Sequence, residues 1–300
     1  MKQKLKIMNT KTRKILAENG LDFTIEKIPL TGIDSNGNQI ITPYFGLLNS
    51  KTKEVINTCK IGYHVSQNED IVDMILKGTA KFGDKLTVSK AGSINGGRRV
   101  FFQLAIEGES KVGDDSITRY ITIIDSNDGS TSLSVGIGDM NMWCGNQFFK
   151  FYKAGEAKFR HTATLEQKIA SIPNLIETAL LKSIKQIEIY NKFISTSLTQ
   201  GIADKLVKEV LGYDRLITSP AEIAELSGRS IGMMDTLYSN IETEIKHSGK
   251  NLWSLFGGVT RYTTYHQSVP KRINGREESL INGTGYDKAM KAFEFLLEQV

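Results

Sequence analysis

Three successive segments alternate apolar and polar side chains and are separated by turn signals, which constrains this chain more than any other feature. "RRVFFQLAIEG", "SITRYITIID" and "TSLSVGIGDM" follow one another between residues 98 and 140. Alternation with a period of two belongs to strands with one buried face. The connecting Asp128–Gly129 pair is a strong hairpin signal, and the glycines of "SINGG" tolerate positive φ before Arg98. Val100, Phe102, Leu104 and Ile106 therefore share a face, joined by Ile121, Ile123, Leu133, Val135 and Ile137. The opposite face carries Arg99, Phe101 and Gln103, then Thr118, Tyr120 and Thr122, then Ser132 and Ser134.

The same logic extends outward. "LDFTIEKIPL" and "IITPYFGLLN" read as strands around the Asn36–Gly37 turn, and "EVINTCKIGY" reads as a third. "NEDIVDMILKGTA" changes period: Ile71, Met74 and Ile75 recur at helical spacing behind Asn68 as N-cap, with Glu69 and Asp70 in the first turn. From residue 164 the chain is helical. Thr164 and Gln167 stand in capping-box spacing, Leu165 to Ile187 forms a long apolar stripe, and Pro173 interrupts it. Ser219 and Pro220 open a further helix. The expected class is α+β: an antiparallel sheet of hairpins with one early helix, followed by a mostly helical C-terminal half. Residues 1–20 read as a basic arm, 21–152 as a β-rich domain and 153–300 as a helical region packed on it.

Charge is uneven. Residues 1–30 hold seven Lys/Arg against three acids, so four of the net five positive charges sit there. Such an arm suits an anionic polymer. The apolar runs are too short to span a membrane, and the start lacks the apolar core of a signal peptide. Two cysteines make no disulfide framework, which fits a reducing cytoplasm. No P-loop or dinucleotide fingerprint occurs. His64, His161, His247 and His266 form no metal-ligand spacing. No catalytic residue, metal or cofactor is assigned. Arg99, Phe101 and Tyr120 on the polar sheet face combine a cation with rings that can stack on bases. Lys153, Lys158, Arg160 and His161 cluster before a helix start, where backbone N–H groups favour anions. Lys4, Lys6 and Arg13 extend the set from the arm.

In order, the chain reads "GYHVSQNEDIVDM", "AGSINGGRRVFFQLAI", "YITIIDSNDGSTSLSVGIGDMNMWCGNQF", "FRHTATLEQKI" and "NLWSLFGGVTRYTTYHQSV". This series resembles the phage/plasmid-like protein family of bacteriophages and plasmids, from about residue 20 to the C-terminus. The matching positions are Gln67, Asn68, Gly92, Gly97, Arg98, Arg99, Asp128, Gly129, Cys144, Asn146, Arg160, His161, Thr162, Trp253 and His266. Asn127 stands where the family often has histidine. The resemblance implies a setting in mobile-element DNA metabolism. Together these readings favour a homo-oligomer that binds single-stranded DNA, in annealing during replication or recombination, with part of the Leu165–Ile187 stripe packing against another subunit. The alternatives are an enzyme acting on nucleotides or nucleic acid, with Cys144, His161 and Asp128 near one site, and a non-catalytic protein-interaction factor.

Overall fold

The computed structural model describes residues 9–80, 82–142, 145–151, 158–213 and 226–300. Helix α1 (Thr10–Glu18) precedes strands β1 (Ile25–Ile33), β2 (Gln39–Asn49) and β3 (Val55–Lys60), then α2 (Asn68–Ala80). Strands β4 (Leu86–Ile94), β5 (Arg99–Ile106), β6 (Ser110–Val112), β7 (Asp115–Ser126), β8 (Leu133–Asn141), β9 (Gln147–Phe151) and β10 (Lys158–Phe159) follow. Helices α3 (Leu165–Ile169), α4 (Ile172–Ser195), α5 (Gln200–Leu211), α6 (Gly228–Ser248), α7 (Leu252–Arg261), α8 (Gly275–Asn282) and α9 (Thr284–Leu297) complete the chain, and a π-helical turn, Tyr262–His266, extends α7. The class is α+β.

β1, β2 and β3 make a small antiparallel sheet. The large sheet runs in the order β10-β8-β7-β5-β4, with β6 also on β7 and β9 also on β8. Its register follows the alternation: Phe102 lies opposite Ile123 and Ile123 opposite Val135, while Leu104, Ile121 and Ile137 form the next row. These residues are buried in one cluster with Ile71, Val72 and Ile75 of α2 and Ile172, Ile176 and Ala179 of α4. Ile25, Leu47 and Ile56 of the small sheet and Leu16 of α1 close the same core.

The other face of the large sheet is also covered around Arg99, Phe101, Gln103 and Thr122, which are buried, while Thr118 and Tyr120 are only half-buried; this corrects the expectation of an open polar face. Antiparallel sheets commonly leave one face in water; here the C-terminal half takes it. Phe101, Ile94, Ile124 and Phe149 pack with Leu280 and Ile281 of α8. Farther along the first face, in register with Ile121 and Ile137, Val112, Ile117 and Phe148 meet Tyr190 and Phe193 of α4 and a group from α5, α6, α7 and α9. α4 runs along this one face, where Arg119 and Asp139, in register with Ile121 and Ile137, also meet it. Its first turns belong to the first core and its last turns to this farther group, over about 36 Å at roughly 1.5 Å per residue.

Pro173 separates α3 from α4, as its ring requires. Thr164 makes no side-chain cap bond, so the expected capping box is not formed. The 1–20 arm is partly a docked helix: Thr12 Oγ1 donates to Asp73 Oδ1 of α2 at 2.6 Å, and Leu16 is buried. The start at Ser219 and Pro220 lies outside the described residues. The apolar stripe is largely consumed within the chain, because Ile172 and Ile176 face the first core. Only part of it, such as Ile184, remains exposed.

Candidate functional site

Two places gather the chemistry that the sequence singles out. The first is the end of the large sheet. There the β3–α2 loop, the β4–β5 turn, the β7–β8 turn and the segment between β10 and α3 converge. The β4–β5 turn has Asn95, Gly96 and Gly97 at positive φ. Gly97 is required on two counts: its φ is +90°, and an added Cβ would come within 2.7 Å of Asn49 Nδ2. Asn127 N donates to Arg98 O, and Asn57 Nδ2 donates to Asn127 O, which ties the turns to β3.

His161 sits in the middle of this end. Its Nδ1 lies 2.9 Å from His64 O and its Nε2 lies 2.8 Å from Asp125 Oδ1. A carbonyl and a carboxylate are both acceptors, so both ring nitrogens donate and the ring is an imidazolium. Burial pushes its pKa down, but the bond and charge of Asp125 and the His64 carbonyl outweigh this and leave it raised. His64 N returns a bond to His161 O. The ring stacks on Tyr63 with centroids 4.9 Å apart. Ser66 Oγ donates to Asp125 Oδ2. Serine, aspartate and histidine thus meet, but the serine bonds the carboxylate and no ring nitrogen is free to take its proton. This is a lock and not a nucleophile–base pair.

Arg99 and Phe101 are inside the protein, which corrects their assignment to a nucleic-acid face. Arg99 Nη2 bonds Glu278 Oε1 at 2.5 Å, and its Nε lies 3.5 Å from Asp128 Oδ2. Arg272 forks onto the same Glu278. Burial opposes ionisation of Glu278, yet Arg272 and Arg99 hold its carboxyl below the usual range. The guanidinium finds carboxylates where a phosphate was expected. Lys90 pairs with Glu277, and Asn274 Nδ2 donates to Ser93 O, so these contacts fasten α8 to β4 and β5. Tyr120 is half-buried. Arg160 is exposed at the sheet end. Lys158 enters β10 opposite Ser134. Lys4, Lys6, Lys153 and Cys144 lie outside the described residues.

The second place is an open groove of about 810 Å³ between α1, the end of α2 and the start of β4. Lys11, Lys14 and Lys77 line it with Asn9 and Thr87, against Glu18 and Asp73. All three lysines are exposed. Lys77 joins Lys11 and Lys14 only through the packing of α2 beside α1, so the three are not a set in the sequence. Arg13, exposed on α1, lines a separate recess of about 300 Å³ with Leu16, Phe23 and Asn68.

Several motif residues prove structural. Gln67 closes two bonds with the Ile25 backbone, and Asn68 Nδ2 reaches Leu21 O. Trp253 Nε1 donates to Asp115, which also meets His247 and Asn141. Asn146 donates to Glu244 and to Gly257 O. Among the described residues no three His, Cys, Asp or Glu side chains gather as metal ligands, and no helix is long and apolar enough to cross a membrane.

A profile described as a domain of unknown function (DUF932) matches residues 56–282, well over half of the chain. The chain belongs to this family. The DUF932 match takes in α2, the whole large sheet and the helices through α8; α1 and the β1–β2 hairpin precede it. The sheet-end lock therefore lies within the DUF932 region, and most of the basic groove's cations lie before it. No curated protein and no solved structure matches the chain.

Proposed function

We propose that this protein binds single-stranded nucleic acid, without catalysis, in phage-type replication or recombination in the host cytoplasm. One observation carries the reading: the groove is lined by the exposed Lys11, Lys14 and Lys77 and opens beside the first turn of α1, in a chain whose first 30 residues hold seven Lys/Arg against three acids. Phosphate contacts dominate such binding and need no base recognition. The exposed lysines of the groove supply them, and Arg160 adds a cation at the sheet end. The buried Arg99 and Phe101 have no part in it.

The test is salt dependence. Anisotropy of a labelled single-stranded oligonucleotide is followed against salt for the wild type and for Lys11→Ala/Lys14→Ala/Lys77→Ala. Each lost contact flattens the log–log slope by roughly 0.7 on single strands. The triple variant is expected to flatten it by about 2, since three contacts go. An unchanged slope overturns the groove, and no binding at low salt overturns the function.

A further inference from the structure

The distal part of the β1–β2 hairpin, residues 31–44, is exposed or half-buried throughout. Residues 28–50 contain one charged side chain, Asp34, in a chain in which 24% of residues are charged. That single carboxylate is spent in the turn: Oδ1 accepts from Asn36 N and Asn38 N, and Oδ2 accepts from Asn38 Nδ2. The hairpin nevertheless shows its apolar side chains to solvent. Ile33 is 79% exposed and Ile41 85%, with Ile40 and Tyr44 also exposed.

Register places the two most exposed residues together. Ile33 lies opposite Gln39 and Thr31 opposite Ile41, so all four side chains share one face. Gln39 Nε2 donates to Thr31 Oγ1 at 3.1 Å across one diagonal, and Ile33 and Ile41 form the other. The face thus carries two isoleucines beside a threonine and a glutamine that bond each other, and no charge. Pro29 and Pro43 interrupt the donor rows of the two strands, which disfavours addition of another strand at the edge. What remains is packing face to face.

We infer that this hairpin arm is a self-association surface, packing face to face against the same arm of a second copy. Charge selects the occupant. The stretch has no Lys, Arg or His, so it offers nothing to a phosphate polymer or an anionic lipid surface. A charged partner would be desolvated against isoleucine without an ion pair. A second copy brings the same uncharged face, and a two-fold arrangement makes each patch its own complement. Depletion of charge at the centre of a patch is also the compositional mark of interfaces.

Light scattering on the full chain at micromolar concentration tests this. The wild type is expected at twice 33.4 kDa, and Ile33→Lys/Ile41→Lys at the single-chain mass with an unchanged melting temperature. Leu181→Lys/Ile184→Lys, which alters the exposed patch on α4, is expected to leave the wild-type mass. Should the lysine arm variant lose its melting transition, Ile33→Thr/Ile41→Thr reads the same mass with strand-compatible side chains. A monomeric wild type, an arm variant that keeps the wild-type mass, or dissociation by the α4 variant overturns the inference.

Discussion

His161 shows how much one side chain can decide. Its ring is clamped by two acceptors and stacked on Tyr63, so it joins the β10–α3 segment to the β3–α2 loop and to β7. The residue type alone suggests a base or a phosphate ligand; the acceptors on both nitrogens make it a cation committed to Asp125. The folded pKa is raised, so the protonated ring's stabilisation is complete below the unfolded value of about 6.5 and is lost as pH climbs through the folded value. Melting temperatures of the wild type and His161→Gln, taken between about pH 5 and about pH 9, should therefore converge as pH rises. A gap that stays constant across that range would mean the ring is neutral in the fold. Arg99 teaches the same lesson. Its partner Glu278 lies far along the chain, on a helix that carries no motif, and nothing near Arg99 in sequence announces it.

At the scale of elements, the hairpins and the early helix were legible because each is specified locally. Alternation set the register of β5, β7 and β8, and Pro173 set the break before α4. α1 was not legible as a helix: its nine residues bury only Thr12 and Leu16, so its composition reads as a basic arm until α2 is placed beside it. The docking of the middle turns of α4 was equally hidden, because there polar groups join the apolar contacts. Asp139 of β8 accepts from Gln186 and Tyr190 of α4. Burial pushes its pKa up to about 6, against the bonds from Tyr190 and Gln186 and the charge of Arg119. A carboxyl raised in the fold binds its proton more tightly there than when unfolded, so stability falls as pH rises from the ordinary value toward 6. Asp139→Asn mimics the protonated acid. Relative to the wild type, the variant should fare better at pH near 8 than at pH near 5; equal differences in urea midpoint at the two pH values would show that Asp139 titrates normally.

The whole molecule is a sheet shared between two cores, and this is the property that sequence periodicity could not supply. Alternation says which residues share a face, and it says nothing about what covers the second one. Phe101 and Phe102 are neighbours that point opposite ways, and both are fully buried. Phe102 faces α2 and the start of α4, and Phe101 faces α8. If the second face were a wet platform for stacked bases, Phe101→Ala would cost little stability and would abolish binding. With α8 in place, truncation empties volume that the neighbouring side chains cannot refill. Phe101→Ala and Phe102→Ala should then each cost about 3–5 kcal/mol of unfolding free energy, the usual range for a buried phenylalanine. Both should unfold in a single transition, because β5 belongs to both cores. Single-strand affinity of the folded fraction should be unchanged in the Phe101 variant. Urea melts followed in parallel with oligonucleotide anisotropy separate the two pictures: a stable Phe101→Ala protein that no longer binds would return that face to solvent and to nucleic acid.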